Sequence, residues 1–97
     1  MIEFKELTII IPSLLSNINS RWIDQVNKFN KKKINIIICI PPNLSKNNKY
    51  ANKFEKSILI VISDKRGQVN QRQYGYKFVK TDYVMHMDDD TFINITN

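Results

Sequence analysis

Three consecutive carboxylates, Asp88, Asp89 and Asp90, end an apolar run that begins at Tyr83 and passes through Val84, Met85, His86 and Met87. Like charges this close repel, so such a cluster needs a cation or hydrogen-bond donors to be stable. If the run is a strand that stays extended through its exit, side chains two apart point the same way. Asp88 and Asp90 then converge on one cation while Asp89 faces elsewhere. Oxygen-only ligation of this kind suits Mg²⁺ or Mn²⁺, which take one or two carboxylates and complete their shell with water and substrate phosphates. The alternative is an acidic turn at a strand end.

Arg72 is the second residue with chemistry to offer. It falls in the apolar stripe Val69, Arg72, Tyr76 and Val79, spaced by three and four, so the pattern predicts an arginine on the buried face of a helix. A guanidinium there needs a partner. The Asp cluster or a bound phosphate would serve, as would a structural pair with Asp64 or Asp82. Pro12-Ser13, closing the first apolar run, supplies a tight turn and a hydroxyl. His86, alone within its run, and Cys39 both read as packed core residues.

Four apolar runs would position these groups: Leu7 to Ile11, Ile34 to Ile40, Ile58 to Ile62 and Tyr83 to Met87. Near-continuous β-branched runs without alternation are typical of strands buried on both faces of a parallel sheet. Between the first two, Trp22, Ile23, Val26 and Phe29 form one face of an amphipathic helix, with Ser20 as N-cap and Lys28 and Lys31 to Lys33 near its C-terminal end. The second connection, Pro41 to Ser57, is polar and reads as a loop with a weak helix. The third carries the Arg72 stripe, with Ser63 or Asp64 as cap. Gly67 sits at the turn, and Gly75 lies inside the helix, where close packing on the sheet would justify it. The expected fold is α/β: a three-layer α/β/α sandwich around a mostly parallel four-stranded sheet, with right-handed crossovers. Ligands of such sheets bind beyond the carboxyl ends of the strands, where the strand order reverses.

The chain has 97 residues, with 15 Lys and Arg against 9 Asp and Glu, a net charge of +6. At this length roughly 60–65% of the unfolded surface is buried on folding, which allows a single domain spanning residues 1–97 and excludes a two-domain enzyme. The 16 Ile, 12 Asn and 12 Lys indicate compositional bias, so the basicity does not by itself imply a nucleic-acid partner. A basic nucleotide- or nucleic-acid-binding module nonetheless stands as an alternative class. Its binding would fall steeply with salt and need no metal. The single Cys forms no internal disulfide, and the apolar runs fall short of the ~18 residues of a membrane span. The expectation is a cytoplasmic protein, with any membrane contact peripheral at the cytoplasmic face.

Taken together, these residues resemble the N-terminal, nucleotide-binding half of the family 2 glycosyltransferases, which have the GT-A fold. Leu7-Thr8-Ile9-Ile10-Ile11-Pro12-Ser13 looks like the family's opening strand and its Pro-Thr/Ser turn. Arg66-Gly67-Gln68-Val69-Asn70-Gln71-Arg72-Gln73-Tyr74-Gly75-Tyr76, followed by Thr81-Asp82-Tyr83 and the run to Asp90, is similar to its second block, where Arg, Gly and terminal carboxylates occur at matching spacing. Where the family carries Asp-Asp-Gly-Ser after the second strand, this chain has Ile40-Pro41-Pro42-Asn43, and Leu14 stands where the family has an aromatic residue.

The resemblance implies a metal-dependent inverting glycosyltransferase that binds a nucleoside diphosphate sugar, by resemblance a uridine diphosphate sugar, with Mn²⁺ or Mg²⁺. Pro12 and Ser13 would lie near the base, Arg72 and Asp89 at the nucleotide sugar, Asp88 at the ribose and metal, and Asp90 on the metal. It places the catalytic base in a C-terminal half beyond Asn97, so the chain is expected to be truncated and inactive alone. An exposed sheet edge would favour self-association. A phosphatase of the haloacid dehalogenase type also sets Asp-x-Asp at a strand end. It expects Thr or Val two residues after the second Asp, where this chain has Phe92.

Overall fold

The computed structural model describes residues 3–16, 18–44 and 51–93. Four strands, β1 (Leu7–Pro12), β2 (Asn35–Ile40), β3 (Leu59–Ile62) and β4 (Tyr83–His86), form one all-parallel sheet in the order β3-β2-β1-β4. Helix α1 (Ser20–Lys31) packs on one face and α2 (Gln68–Tyr76) on the other, giving the α/β/α layering expected from the sequence.

Side-chain alternation divides the core between the faces. Ile9 and Ile11 of β1, with Ile36, Ile38 and Ile40 of β2, pack with Trp22, Ile23, Val26 and Phe29 of α1. Ile10, Ile37, Cys39 and Val61 point the other way, towards α2. Only the central strands are buried on both faces. β3 and β4 are four-residue edge strands and partly exposed, so the expectation of solid burial fails for them. His86, expected in the core, is exposed, its Nε2 lying 2.5 Å from the Tyr76 hydroxyl.

The cap of α1 is Asn19, one residue before the expected Ser20. Asn19 has extended backbone, and its Oδ1 accepts from Trp22 N at 2.9 Å. The helix ends with Lys33 at φ 74°, where Ile34 N donates to Phe29 O and Lys33 N to Asn30 O, the bonding of a Schellman turn.

Helix α2 departs further from expectation. Gly67, at φ 107°, takes the N-cap position with no side-chain cap, while Ser63 donates to Lys65 O instead. The buried residues are Gln71 and Gly75, whereas Val69 is 65% exposed and Tyr76 47%. The helix is therefore rotated by about one residue from the apolar stripe. Two physical causes are visible. The Gln71 side chain satisfies carbonyls at the ends of β1 and β2, donating to Cys39 O at 2.7 Å and Ser13 O at 3.4 Å. Gly75 lets the backbone come so close to the sheet that a Cβ there would lie 2.6 Å from Cys39 Sγ.

The weak helix expected after Pro41 falls partly outside the described residues. Within them, Ala51–Lys53 forms a single 3-10 turn. Among the described residues no helix is long and apolar enough to cross a membrane.

Candidate functional site

The chain winds outward from β1 through β2 to β3, then crosses back to place β4 on the other side of β1. The order therefore reverses between β1 and β4, and the crevice outside their carboxyl ends is where ligands of open α/β sheets bind. Pro12-Ser13 leaves one of these strands and Asp88-Asp89-Asp90 the other.

Backbone bonds fix both exits. Ser13 N donates to Cys39 O at 3.0 Å, and Met87 N donates to Ile10 O at 3.1 Å, extending the pairing one residue past β4. The chain then turns, with Thr91 N donating to Asp88 O at 3.2 Å. That turn removes the extended geometry on which convergence of Asp88 and Asp90 was predicated. Asp88 continues the alternation of His86 and reaches the α2 side, where its Oδ1 accepts from Arg72 Nη2 at 2.7 Å. Asp89, expected to face elsewhere, faces β1 and accepts from Ser13 Oγ at 2.8 Å. Asp90 is exposed.

The Ser13 hydroxyl is doubly employed, since it also accepts from Leu15 N at 2.9 Å. Leu15 is held at φ 54° with its side chain buried, so this turn has one well-defined shape. On the far side of the acidic turn, Thr91 O accepts from Trp22 Nε1 at 3.1 Å and Gln25 Nε2 at 2.9 Å, while Ile93 N donates to Gln25 Oε1 at 2.8 Å. Helix α1 thus anchors the segment that follows the carboxylates.

Between these exits and the start of α2 lies a groove of about 520 Å³. Pro12, Ser13 and Asp89 line it together with Arg66, Gly67 and Gln71. Arg72, Asp88 and Asp90 stand outside this lining. The Arg72 Nε is buried and has no hydrogen-bond partner among the described residues, leaving one donor of a strong cation uncommitted. Gln71 and Arg66 were not singled out by sequence. Gln71 carried a signal, a polar residue one helical turn before the buried Gly75.

The oxygens of Asp88, Asp89 and Asp90 are hard donors of the kind Mg²⁺ and Mn²⁺ prefer. Among the described residues, no three His, Cys, Asp or Glu side chains are grouped around one point. An ion here would therefore take one or two carboxylates and draw its remaining ligands from water and substrate. The groove offers the Asp89 carboxylate and the Ser13 hydroxyl on one wall and Arg66 near the start of α2, with Arg72 and Asp88 paired outside the lining, a combination suited to a ligand bearing both hydroxyls and phosphates. Comparison with family models, with curated proteins and with solved structures finds no match for this chain.

Proposed function

We propose that this chain is the donor-binding half of a metal-dependent inverting glycosyltransferase, capturing a nucleoside diphosphate sugar at the carboxyl ends of β1 and β4. The observation that carries the reading is the pairing of the two strand exits across the reversal point. Ser13 holds Asp89 on one side and Arg72 holds Asp88 on the other. The resemblance of the two sequence blocks supplies the identity of the ligand.

In this reading Pro12 and Ser13 shape the wall beside the base, Asp89 accepts from donor hydroxyls, and Arg66 and Arg72 face phosphate oxygens. Asp90 would supply the protein ligand to Mn²⁺ or Mg²⁺, which when bound supplies positive charge against the departing diphosphate, while Asp88 stays paired with Arg72. No residue of this chain is assigned the base that deprotonates the acceptor hydroxyl. The protein works in the cytoplasm, where a lone thiol such as Cys39 stays reduced.

Titration calorimetry of the 97-residue chain with uridine diphosphate tests the reading. Binding with Mn²⁺ should exceed binding in EDTA by about tenfold or more, and Asp90→Ala should abolish the difference, as expected for loss of a charge-assisted contact. Equal affinity in Mn²⁺ and EDTA would overturn the metal-bridged model.

A further inference from the structure

The opposite end of the sheet carries a second groove, of about 430 Å³, at the amino ends of the strands on the α2 face. Its origin is a mismatch of lengths. Helix α2 has nine residues, about 14 Å of helix, whereas six-residue β2 is about 20 Å long. Helix α2 starts over the carboxyl ends, and Gly75, near its last turn, already sits over Ile10, Ile37 and Cys39. The chain then turns away through Phe78 towards β4. The amino half of this face is left open, and Leu59 is 41% exposed although it lies on the same side of the sheet as buried Val61.

The groove has an apolar floor of Ile37, Leu59 and Phe78 and a cationic rim of Lys5 and Lys80, which precede the adjacent strands β1 and β4. Lys80 has no ion-pair partner among the described residues. Lys5 has only Glu3, at 3.3 Å with both side chains well exposed, a contact that an incoming carboxylate can replace at little cost. Beneath the rim the Thr81 hydroxyl donates to Tyr83 O at 2.9 Å and accepts from the Thr8 hydroxyl, 2.6 Å away.

We infer that this groove binds a small amphipathic carboxylate, its apolar body on Ile37, Leu59 and Phe78 and its anionic head between Lys5 and Lys80. An unpaired ammonium at Lys80 and a weakly paired, well exposed one at Lys5, above an apolar floor, are complementary to that chemistry. A second copy of the chain would bring another pair of lysines to the same rim, and like-charge repulsion disfavours it.

Monomeric octanoate, well below its micellar concentration, is the probe, followed by amide chemical shifts of the 97-residue chain. Shifts are expected at Thr8, Ile37 and Leu59, with the residues lining the nucleotide groove unmoved. The exposed substitution Lys80→Ala should weaken octanoate about tenfold, the loss expected for one charge-assisted contact, and Leu59→Ser should weaken octanoate and octanol alike. The inference is overturned if octanol binds as well as octanoate, if Lys80→Ala leaves octanoate affinity unchanged, or if no shift occurs. It is overturned equally if the same amides shift on dilution of the protein alone, which would mean that a second copy covers the face. Because uridine diphosphate addresses the other end of the sheet, neither result depends on the other.

Discussion

Arg72 donates to Asp88 across the gap between α2 and the exit of β4, at 2.7 Å, and one helical turn later Tyr76 meets His86 at 2.5 Å. The match is geometric. Four residues of helix and two of strand both advance about 6 Å, so two residues of α2, which runs antiparallel to the strands, can bond His86 and Asp88 without distortion. The Arg72 and Asp88 side chains are 29% and 49% exposed, which keeps the ion pair modest. A double-mutant cycle with Arg72→Gln and Asp88→Asn in urea should give a coupling of about 0.5–1 kcal/mol. Tyr76→Phe, at an exposed site, should change stability by less than about 0.5 kcal/mol. A coupling near zero would mean that the pair does not hold β4's exit to α2.

Ser13 carries the other wall. Its hydroxyl is both the acceptor for the amide of Leu15 and the donor to Asp89, so Ser13→Ala leaves a buried N–H unpaired as well as freeing a carboxylate. The expected loss is about 1–2 kcal/mol in a urea or thermal melt. Asp89→Asn keeps an acceptor oxygen towards Ser13 and should cost well under about 1 kcal/mol. If the two variants lose equal stability, the Leu15 contact is not what the hydroxyl provides.

The central sheet was legible because burial on both faces leaves no choice of residue: the Ile runs of β1 and β2 could be nothing else in a chain of this size. The phase of α2 was not. Apolar periodicity placed Val69 and Tyr76 inward, yet burial at a strand end is decided by carbonyls that need donors and by how closely a backbone can approach. Gln71 and Gly75 meet those needs better than any apolar side chain. The acidic cluster was legible as a feature. Its geometry was not, because the bond from Thr91 N to Asp88 O closes a turn where extended backbone had been assumed, sending Asp89 rather than Asp88 to the groove. Edge position explains His86 in the same way: a strand with one neighbour cannot bury every residue it carries.

Gln25 links α1 to the segment after the carboxylates through both ends of its amide, donating to Thr91 O and accepting from Ile93 N. Gln25→Ala should therefore act locally. The Ile93 amide should exchange with solvent at least about fivefold faster, in line with a lost hydrogen bond of about 1 kcal/mol, while amides of β1 and β2 keep their protection. Unchanged exchange at Ile93 would show that Trp22 Nε1 alone anchors the segment.

Gly75 lets α2 lie close against Cys39 of the sheet. A methyl at Gly75 would lie 2.6 Å from Cys39 Sγ and 3.0 Å from Ile10 Cγ2, so the ~1 kcal/mol that alanine gains in helix propensity is opposed by overpacking of about 1–3 kcal/mol. Gly75→Ala should be destabilising in the parent chain and less so, or neutral, in a Cys39→Ala background, where the sulfur is gone. The same burial pushes the Cys39 thiol from 9.0 up to about 12, opposed in part by a hydrogen bond with the Gly75 backbone. The folded state thus holds the thiol proton that the unfolded chain releases. Its contribution to stability is complete below pH 9 and is lost as the pH rises from 9 towards 12. Comparing the melting temperatures of the parent chain and Cys39→Ala across that range isolates this thiol from the rest of the chain. The parent should lose more stability than the variant above pH 9, and parallel curves would mean that the thiol titrates alike in both states.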